Sequence, residues 1–262
     1  MPELIEVEYY RRALDRRVGA SVSAVSVVDG RFCRAGSTDR GLLEQVIGMN
    51  LMSTHRHGKL LLADFGRRSR ELTVGMRFGM TGRLLFDGRG PIDSLEFSST
   101  RNDPKWDRFT MVVGTEVVSI RDPRRLGSIE IDPDVASLGP DAWDISARRL
   151  RSALTSRRKS LKAVLLDQSI LAGLGNLLTD EILWRSAFSP RRSCAELSDD
   201  DLEDLAAAIR QTVADLALRG GSHRGDSFPL RAAGALCPLD DATMRHDTVG
   251  GRSTWWCPRH QR

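Results

Sequence analysis

The chain has little of what marks secreted and membrane proteins. Its 262 residues include only four cysteines, and Cys33 and Cys194 each stand far from any other cysteine. That pattern does not predict the disulfide framework of a small secreted protein. No apolar run reaches the length that spans a bilayer, and the charged N-terminal residues lack the apolar core of a signal peptide. We therefore expect a cytoplasmic protein that does not associate with a membrane.

The remaining composition is that of an ordinary globular protein, with 40% hydrophobic and 28% charged residues. The length allows one large domain or two smaller ones. A net charge of +4 fits a polyanionic partner but does not identify one. Arginine clusters, such as Arg148, Arg149 and Arg151, favour nucleic acid slightly. Since nothing in the sequence resembles an oligomer interface, we expect a monomer.

The N-terminal half has the pattern of a β domain preceded by a helix. A helix is expected over residues 3–17, and residues 1–132 then contain short apolar or alternating segments separated by turn residues. This pattern predicts a β-sandwich or barrel. The predicted strands are Ser21–Val28, Lys59–Phe65, Glu71–Phe78, Arg108–Val113, Glu116–Ile120 and Ser128–Ile131.

The C-terminal half changes to a helical period. A linker rich in proline and glycine opens it at Asp132–Trp143, and the region 133–222 is predicted to be mainly helical. Its clearest helix begins after an N-cap at Ser198 and ends at Gly220. Residues 232–262 form a compact tail with a predicted hairpin turn. The predicted fold class is therefore α+β with three parts: 1–132, 133–222 and 232–262.

The second residue offers unusual chemistry. Removal of Met1 would leave Pro2 with a secondary amine, whose ordinary pKa of about 8 keeps a useful fraction unprotonated near neutral pH. Such an amine can attack an aldehyde-like carbon and form an iminium. Glu3 and Glu6 supply neighbouring carboxyl groups for proton transfer. The same residues also suit the ordinary start of a helix, and both interpretations are open at this point.

The tail has the spacing of a zinc site with two knuckles. Cys237 and Asp240 are followed, after 16 residues, by Cys257 and His260. Thiolate, carboxylate and imidazole all bind zinc, although structural sites favour thiolates. The alternative is a hairpin held by packing without a metal. Between the knuckles, Arg252 follows a Gly-Gly turn, where a guanidinium can bind a phosphate with two hydrogen bonds.

A glycine-rich junction occurs in the helical region. Gly173 and Gly175 allow a tight connection between two helices, and the first amides of the second helix, with Asn176, can bind a phosphate. The alternative is a plain glycine-rich loop without a ligand.

Together these segments resemble the formamidopyrimidine-DNA glycosylase and endonuclease VIII family of base-excision repair enzymes, as a divergent bacterial member. The resemblance covers nearly the whole chain, and the six similar segments follow the order of the family. They are residues 2–8, 58–62, 79–83, 122–127, 162–181 and 237–260. The resemblance implies an N-terminal β-sandwich, a helix–two-turn–helix domain and a zinc finger, acting on double-stranded damaged DNA near the nucleoid.

The resemblance also assigns roles to individual residues. Pro2 would attack C1′ of the damaged nucleotide, and β,δ-elimination would follow. Glu3, assisted by Glu6, would protonate the sugar oxygen. The phosphates flanking the lesion would be bound by Lys59, from the segment of the catalytic site, and by Lys162, Asn176 and Arg252. The gap left by the everted nucleotide would be filled by Met80, Arg124 and Leu126. One zinc ion would be held by Cys237, Asp240, Cys257 and His260.

The sequence departs from the family pattern in three places, and the last two affect the choice of base. Ile5 and Leu126 stand where proline and phenylalanine are usual, and only 15 residues separate Gly221 from Cys237. Relatives that excise 8-oxoguanine have a longer segment there, part of which closes over the flipped purine. We therefore expect 8-oxoguanine to be a poor substrate. A non-catalytic binder of damaged DNA and a structural nucleic-acid module are the alternative functions, and the retained Pro2, Glu3, Glu6 and Lys59 argue against both.

Overall fold

The computed structural model describes residues 1–28, 30–34, 41, 43–92, 95, 101, 103–154 and 158–262. These residues fold into two compact units. The first contains Met1–Pro2 and Glu6–Val135, and the second contains Glu3–Ile5 and Ala136–Arg262. The leading segment therefore contributes residues to both units.

The first unit confirms the predicted β-sandwich with a leading helix. Helix α1, Leu4–Asp15, presents Val7, Tyr10 and Leu14 to the core of this unit at helical spacing. The strands form two antiparallel sheets of four, in the orders β1-β6-β7-β5 and β2-β3-β4-β8. Their bounds are β1 Val22–Val27, β2 Asn50–His57, β3 Leu60–Arg67, β4 Arg70–Arg77, β5 Arg83–Phe86, β6 Asp107–Val113, β7 Glu116–Arg121 and β8 Ser128–Ile131.

Strands β2 and β5 were not predicted from the sequence. Each lies at the edge of its sheet. In β2 only Leu51 and Thr54 are buried, so the strand lacks the apolar alternation that marks a strand with a covered face. Strand β5 has three consecutive buried residues, Leu84, Leu85 and Phe86, and so shows no alternation. The other six strands lie where the sequence places them, within two residues at each end.

The second unit contains the helical region and the hairpin. Its helices are α2 Ala147–Leu154, α3 Leu161–Leu165, α4 Asn176–Arg185 and α5 Asp199–Arg219, and its strands are β9 Arg245–Val249 and β10 Arg252–Trp256. Helix α5 begins with a capping box between Ser198 and Asp201 and ends at Gly220, whose φ of 101° is left-handed. These features confirm the predicted helical domain and hairpin. Residues 155–157, within the predicted helical region, lie outside the described residues.

Helix α4 is buried on almost every side. All residues from Leu177 to Trp184 are buried, including the polar Thr179, Asp180 and Glu181. Because buried carboxylates are unfavourable without partners, the side chains of Asp180 and Glu181 must be paired within the fold. In the part of the chain that the structure describes, no helix is long and apolar enough to cross a bilayer.

Candidate active site and metal centre

Glu3 is fully buried, and its carboxylate caps the start of α4. Oε2 accepts hydrogen bonds from the amides of Gly175 at 2.6 Å and Leu178 at 3.2 Å, and Oε1 accepts one from the Leu177 amide at 2.9 Å. A carboxylate at this position satisfies the unpaired amides of the first turn and interacts favourably with the helix dipole. The sequence predicted a phosphate at these amides. In the structure, the anion that they bind is Glu3 of the chain itself.

Gly175 is required by this close approach. A Cβ atom at residue 175 would lie 2.3 Å from Cδ of Glu3. The backbone of Gly175, with φ of −116°, is ordinary, so the requirement is steric and comes from the carboxylate. The Leu4 amide also donates to the Gly173 carbonyl at 3.1 Å. Two adjacent residues of the N-terminal segment are therefore fixed to the glycine-rich junction that precedes α4.

The first unit holds the other candidate catalytic residues. Pro2 and Glu6 are buried, whereas Lys59 is half-buried in the turn between β2 and β3. Arg56 stabilises that turn, since its Nη1 donates to the Gly58 carbonyl at 2.9 Å. Gly58 has a left-handed φ of 57°, which the tight turn requires.

Arg56 is itself held by a cluster of charges on α1. Its Nε lies 3.5 Å from Oε2 of Glu8, which also pairs with Arg11 at 3.0 Å and Arg12 at 2.8 Å. Partial burial on its own would raise the pKa of Glu8, but the three guanidinium groups outweigh it and hold that pKa below its ordinary value. Glu8 thus connects α1 to the turn that carries Lys59.

The two segments proposed to fill the DNA gap are joined by Asp122. This side chain is fully buried and accepts hydrogen bonds from Thr81 Oγ1 at 2.5 Å and from the amides of Leu126 at 2.7 Å and Gly127 at 2.8 Å. One carboxylate therefore binds both segments. A Cβ atom at Gly79 would lie 2.5 Å from the Leu126 carbonyl carbon, which shows how closely the segments pack.

The predicted gap-filling side chains lie on these two segments. Leu126 is 49% exposed and Arg124 is exposed, whereas Met80 is half-buried. The sequence motif included Asp122, but the sequence analysis assigned no role to it.

In the second unit, the predicted phosphate-binding residues differ in their accessibility. Arg252 is exposed beside the turn formed by Gly250 and Gly251, whose φ values of 60° and 72° suit a tight hairpin. Asn176 is half-buried, and its Nδ2 donates to the Ser253 carbonyl at 2.9 Å. Lys162, in contrast, is fully buried.

Lys162 has protein partners instead of solvent. Its Nζ lies 2.5 Å from Oδ1 of Asp180 and donates to the Ser253 carbonyl at 3.0 Å. Arg231 contacts the second carboxylate oxygen of Asp180 at 2.6 Å. The sequence analysis missed Asp180 and Arg231, because an ion pair between residues distant in sequence leaves no local pattern.

The four predicted metal ligands lie together. The ligand atoms of Cys237, Asp240, Cys257 and His260 are all within 4.8 Å of one another. Cys237 Sγ is 3.4 Å from His260 Nδ1, and Cys257 Sγ is 3.2 Å from an oxygen of Asp240. Bonds of about 2.0–2.3 Å to a tetrahedral zinc ion place ligands roughly 3.3–3.8 Å apart, so the donor set fits zinc.

His260 is oriented for this role. Its Nε2 lies 3.0 Å from the carbonyl oxygen of Trp184, which leaves Nδ1 directed toward Cys237. A metal-binding imidazole usually donates its other N–H to such a carbonyl, because this hydrogen bond fixes the tautomer and the ring.

Sequence comparison identifies two family domains in the chain. Residues 1–129 match the formamidopyrimidine-DNA glycosylase N-terminal domain, and residues 138–226 match the H2TH domain of the same enzymes. Formamidopyrimidine-DNA glycosylases from Carboxydothermus hydrogenoformans and Ruegeria sp. strain TM1040 are 31% and 32% identical to the chain. Each alignment covers 100% of both sequences.

Solved structures give the same result for the fold. The wild-type Lactococcus lactis enzyme in complex with DNA containing an oxidized pyrimidine has a TM-score of 0.82 and 25% identity. The Lactococcus lactis enzyme in complex with DNA containing an abasic site has a TM-score of 0.82 and 23% identity. Both matches cover 100% of each chain.

Proposed function

We propose a reaction for this chain from one premise: the chain belongs to the formamidopyrimidine-DNA glycosylase family. The family assigns it to base-excision repair as a DNA glycosylase with AP lyase activity. The proposed substrate is double-stranded DNA with a damaged base or an abasic site. The observation that carries the proposal is the set of three hydrogen bonds that fixes Glu3, the residue next to Pro2 in the chain, to the start of α4.

The proposed nucleophile is the amine of Pro2 after removal of Met1. While Met1 is attached, this nitrogen is a tertiary amide and cannot attack. The free amine forms a bond to C1′ of the sugar while the bond from C1′ to the base breaks, and the base leaves with a proton. The nitrogen lone pair then yields an iminium. Glu3, assisted by Glu6, supplies the proton that opens the sugar ring at its oxygen.

Strand cleavage follows from the same iminium. Loss of a proton from C2′ breaks the bond between C3′ and its oxygen, and the 3′ phosphate leaves. In a second elimination, loss of a proton from C4′ breaks the bond between C5′ and its oxygen, and the 5′ phosphate leaves. Water then hydrolyses the adduct and restores the Pro2 amine. No step requires an oxidant or reductant.

The proposed DNA contacts come from both units. Lys59, Asn176 and Arg252 bind phosphates, which fixes the position of the lesion without reading sequence. Met80, Arg124 and Leu126 fill the gap that the everted nucleotide leaves, because unstacking costs a few kcal/mol that an inserted side chain offsets in part. The buried Lys162 is not among the proposed phosphate contacts.

The geometry of the four ligands supports one structural zinc ion per chain. Cys237, Asp240, Cys257 and His260 would hold the ion, which would crosslink the two knuckles that flank the hairpin. Two thiolates, one imidazole and one carboxylate make a weaker site than four thiolates.

The segment between Gly221 and Cys237 supports a restricted choice of base. Its first half is held down by Glu181, which accepts from the amides of Asp226 at 2.9 Å and Ser227 at 2.8 Å. A Cβ atom at Gly225 would lie 2.5 Å from the same carboxylate. A short segment bound to α4 in this way has no length left to cover a flipped purine, so we propose that 8-oxoguanine is a poor substrate.

Cleavage assays test the function and the base preference together. Processed protein is incubated with duplexes that contain an abasic site, a ring-opened purine, an oxidised pyrimidine or 8-oxoguanine. The proposal expects cleavage at the abasic site and slow release of 8-oxoguanine. Release of 8-oxoguanine at the rate of abasic-site cleavage would refute the base preference. Binding of all four duplexes without cleavage would favour a non-catalytic damage binder.

A further inference from the structure

The outer edge of β10 is bound by side chains of the helical region. Within the described part of the chain, this strand pairs with β9 alone, and the hairpin is a sheet of two strands. The Ser253 carbonyl accepts from Lys162 at 3.0 Å and from Asn176 at 2.9 Å. An isolated hairpin of two strands is marginally stable in water. These bonds therefore supply order that the hairpin cannot supply by itself.

The bonds originate in a cluster of buried charges. Asp180 accepts from Lys162 at 2.5 Å and Arg231 at 2.6 Å. The side chains of Lys162, Asp180 and Arg231 are 0%, 2% and 13% exposed. Burial lowers the pKa of Lys162 and raises the pKa of Asp180, so each group depends on the other to stay charged. Two cationic partners on one carboxylate supply that compensation.

This arrangement separates Lys162 from Arg252 in function. Arg252 is exposed and follows the turn, where a phosphate can reach it. Lys162 has no exposed surface, and its ammonium already contacts a carboxylate and a carbonyl oxygen. A phosphate could reach Lys162 only if the ion pair opened, which would leave Asp180 buried with one of its two cations lost.

We propose that Lys162 and Asp180 are positioning residues: with Arg231, they fix the edge of β10 and so hold Arg252 for DNA, while Lys162 itself contacts no phosphate. The inference rests on the proposed function, because it assumes that Arg252 binds the DNA backbone. It also replaces the direct phosphate contact that the sequence suggested for Lys162. The carbonyl that Lys162 binds belongs to Ser253, the residue after Arg252, so the path from one side chain to the other is short.

The salt dependence of DNA binding distinguishes the two roles. Affinity is measured by fluorescence anisotropy with a duplex that contains a tetrahydrofuran abasic analogue, which the enzyme cannot cleave. Log affinity falls linearly with log salt, and each lost phosphate contact makes this slope shallower by about 0.9. We expect Arg252→Gln to make the slope shallower by this amount. Lys162→Met should weaken binding about tenfold at an unchanged slope, because Arg252 still reaches its phosphate but is no longer held in place before binding.

A double-mutant cycle provides the second arm. If Lys162 acts through Arg252, Lys162→Met should weaken binding little further in the Arg252→Gln background. If Lys162 binds its own phosphate, the two effects should add and both substitutions should make the slope shallower, and the proposal fails. Arg16→Gln, which removes an exposed charge from the first unit, is the matched control for net charge.

Hydrogen exchange tests the proposal without DNA. Because Lys162 and Asn176 bind the Ser253 carbonyl, Lys162→Met should loosen β10 and increase deuterium uptake in the peptide that contains residues 252–256 of the free protein. If Lys162→Met does not fold, Arg231→Gln removes the more exposed partner of Asp180 and should give the same change at smaller amplitude. Unchanged uptake in a folded variant that binds DNA weakly would overturn the proposal. Failure of the unaltered protein to bind the duplex would instead overturn the proposed function, and the exchange arm would still apply.

Discussion

The carboxylate of Glu3 and the amide of Gly175 lie 2.6 Å apart, although 171 residues separate them in the chain. Two further amides of the first turn of α4 bind the same carboxylate. The residue that follows the proposed nucleophile is therefore fixed by the helix–two-turn–helix domain, not by α1 alone. The position of Glu3 accordingly depends on the integrity of the glycine-rich junction that precedes α4.

The first prediction concerns Gly175. Gly175→Ala would place a methyl group 2.3 Å from Cδ of Glu3, so the carboxylate must leave the amides of α4. We expect abasic-site cleavage to fall by about a hundredfold or more, the effect of misplacing a catalytic group by about 1 Å. Single-turnover cleavage rates measure the loss. Gly30→Ala is the control, because a Cβ atom at residue 30 meets nothing within 4 Å. Equal rates for the two variants would contradict the role given to Glu3.

The second prediction concerns Asp122, whose carboxylate binds both segments that are proposed to fill the DNA gap. Asp122→Ala should lower the free energy of unfolding by roughly 3 kcal/mol, since hydrogen bonds to a charged group are worth about 1.5–3 kcal/mol each. It should also weaken eversion of the lesion, because Met80 and Leu126 lose their common support. The fluorescence of 2-aminopurine beside the lesion reports eversion.

Thr81→Val provides the graded control for Asp122. It removes one donor to Asp122 and leaves the amides of Leu126 and Gly127 in place. Its effects on unfolding and on eversion should both be smaller than those of Asp122→Ala. Normal eversion in Asp122→Ala would show that the two segments act independently of each other.

The third prediction concerns the metal centre. Asp240→Cys replaces the carboxylate with a thiolate, which zinc prefers in a structural site, so the metal should bind more tightly. Competition with a chromogenic chelator should require about tenfold or more chelator to remove zinc from Asp240→Cys than from the unaltered protein. The unaltered protein should contain one zinc per chain by elemental analysis. Metal-free protein whose melting temperature does not respond to zinc would show that packing alone holds the hairpin.

The fourth prediction concerns Glu8 and pH. Its folded pKa lies below the ordinary value of 4.5, because three arginines outweigh the effect of burial. A lowered carboxyl pKa contributes stability that is fully present above the unfolded pKa and is lost as the pH falls through the folded pKa. As the pH is lowered from about 6 to about 3.5, the free energy of unfolding measured in urea should therefore fall more for the unaltered protein than for Glu8→Gln. Glu71→Gln, at an exposed position in β4, is the control. An equal fall in the free energy of unfolding of Glu8→Gln over this pH range would contradict this account.

Local sequence patterns predicted the fold well where burial follows a periodicity. The capping box at Ser198 and the left-handed Gly220 were both predicted for α5 and are both present. Strand β2 was missed because its exposed positions break the alternation. Patterns of this kind record which face of an element is covered, and β2 has only two buried residues.

The candidate site shows a different limit of sequence reasoning. The four metal ligands lie together as their spacing predicted, because short knuckles fix their local geometry. The burial of Lys162 against Asp180 could not be predicted, since a lysine before a glycine-rich junction equally suits solvent or a buried partner. The partner of Glu3 was also missed. It depends on two segments that meet only in the folded chain.

The measurement that tests the account most directly is the identity of the residue that joins DNA covalently. Protein that begins at Pro2 is incubated with abasic-site DNA and borohydride, which reduces the iminium to a stable amine. The adduct is then digested and located by mass spectrometry. The account predicts DNA on the N-terminal peptide at the Pro2 nitrogen, and no adduct at that nitrogen in protein that retains Met1, where it is a tertiary amide. An adduct on Lys59 or another lysine, or no adduct from fully processed protein, would contradict it.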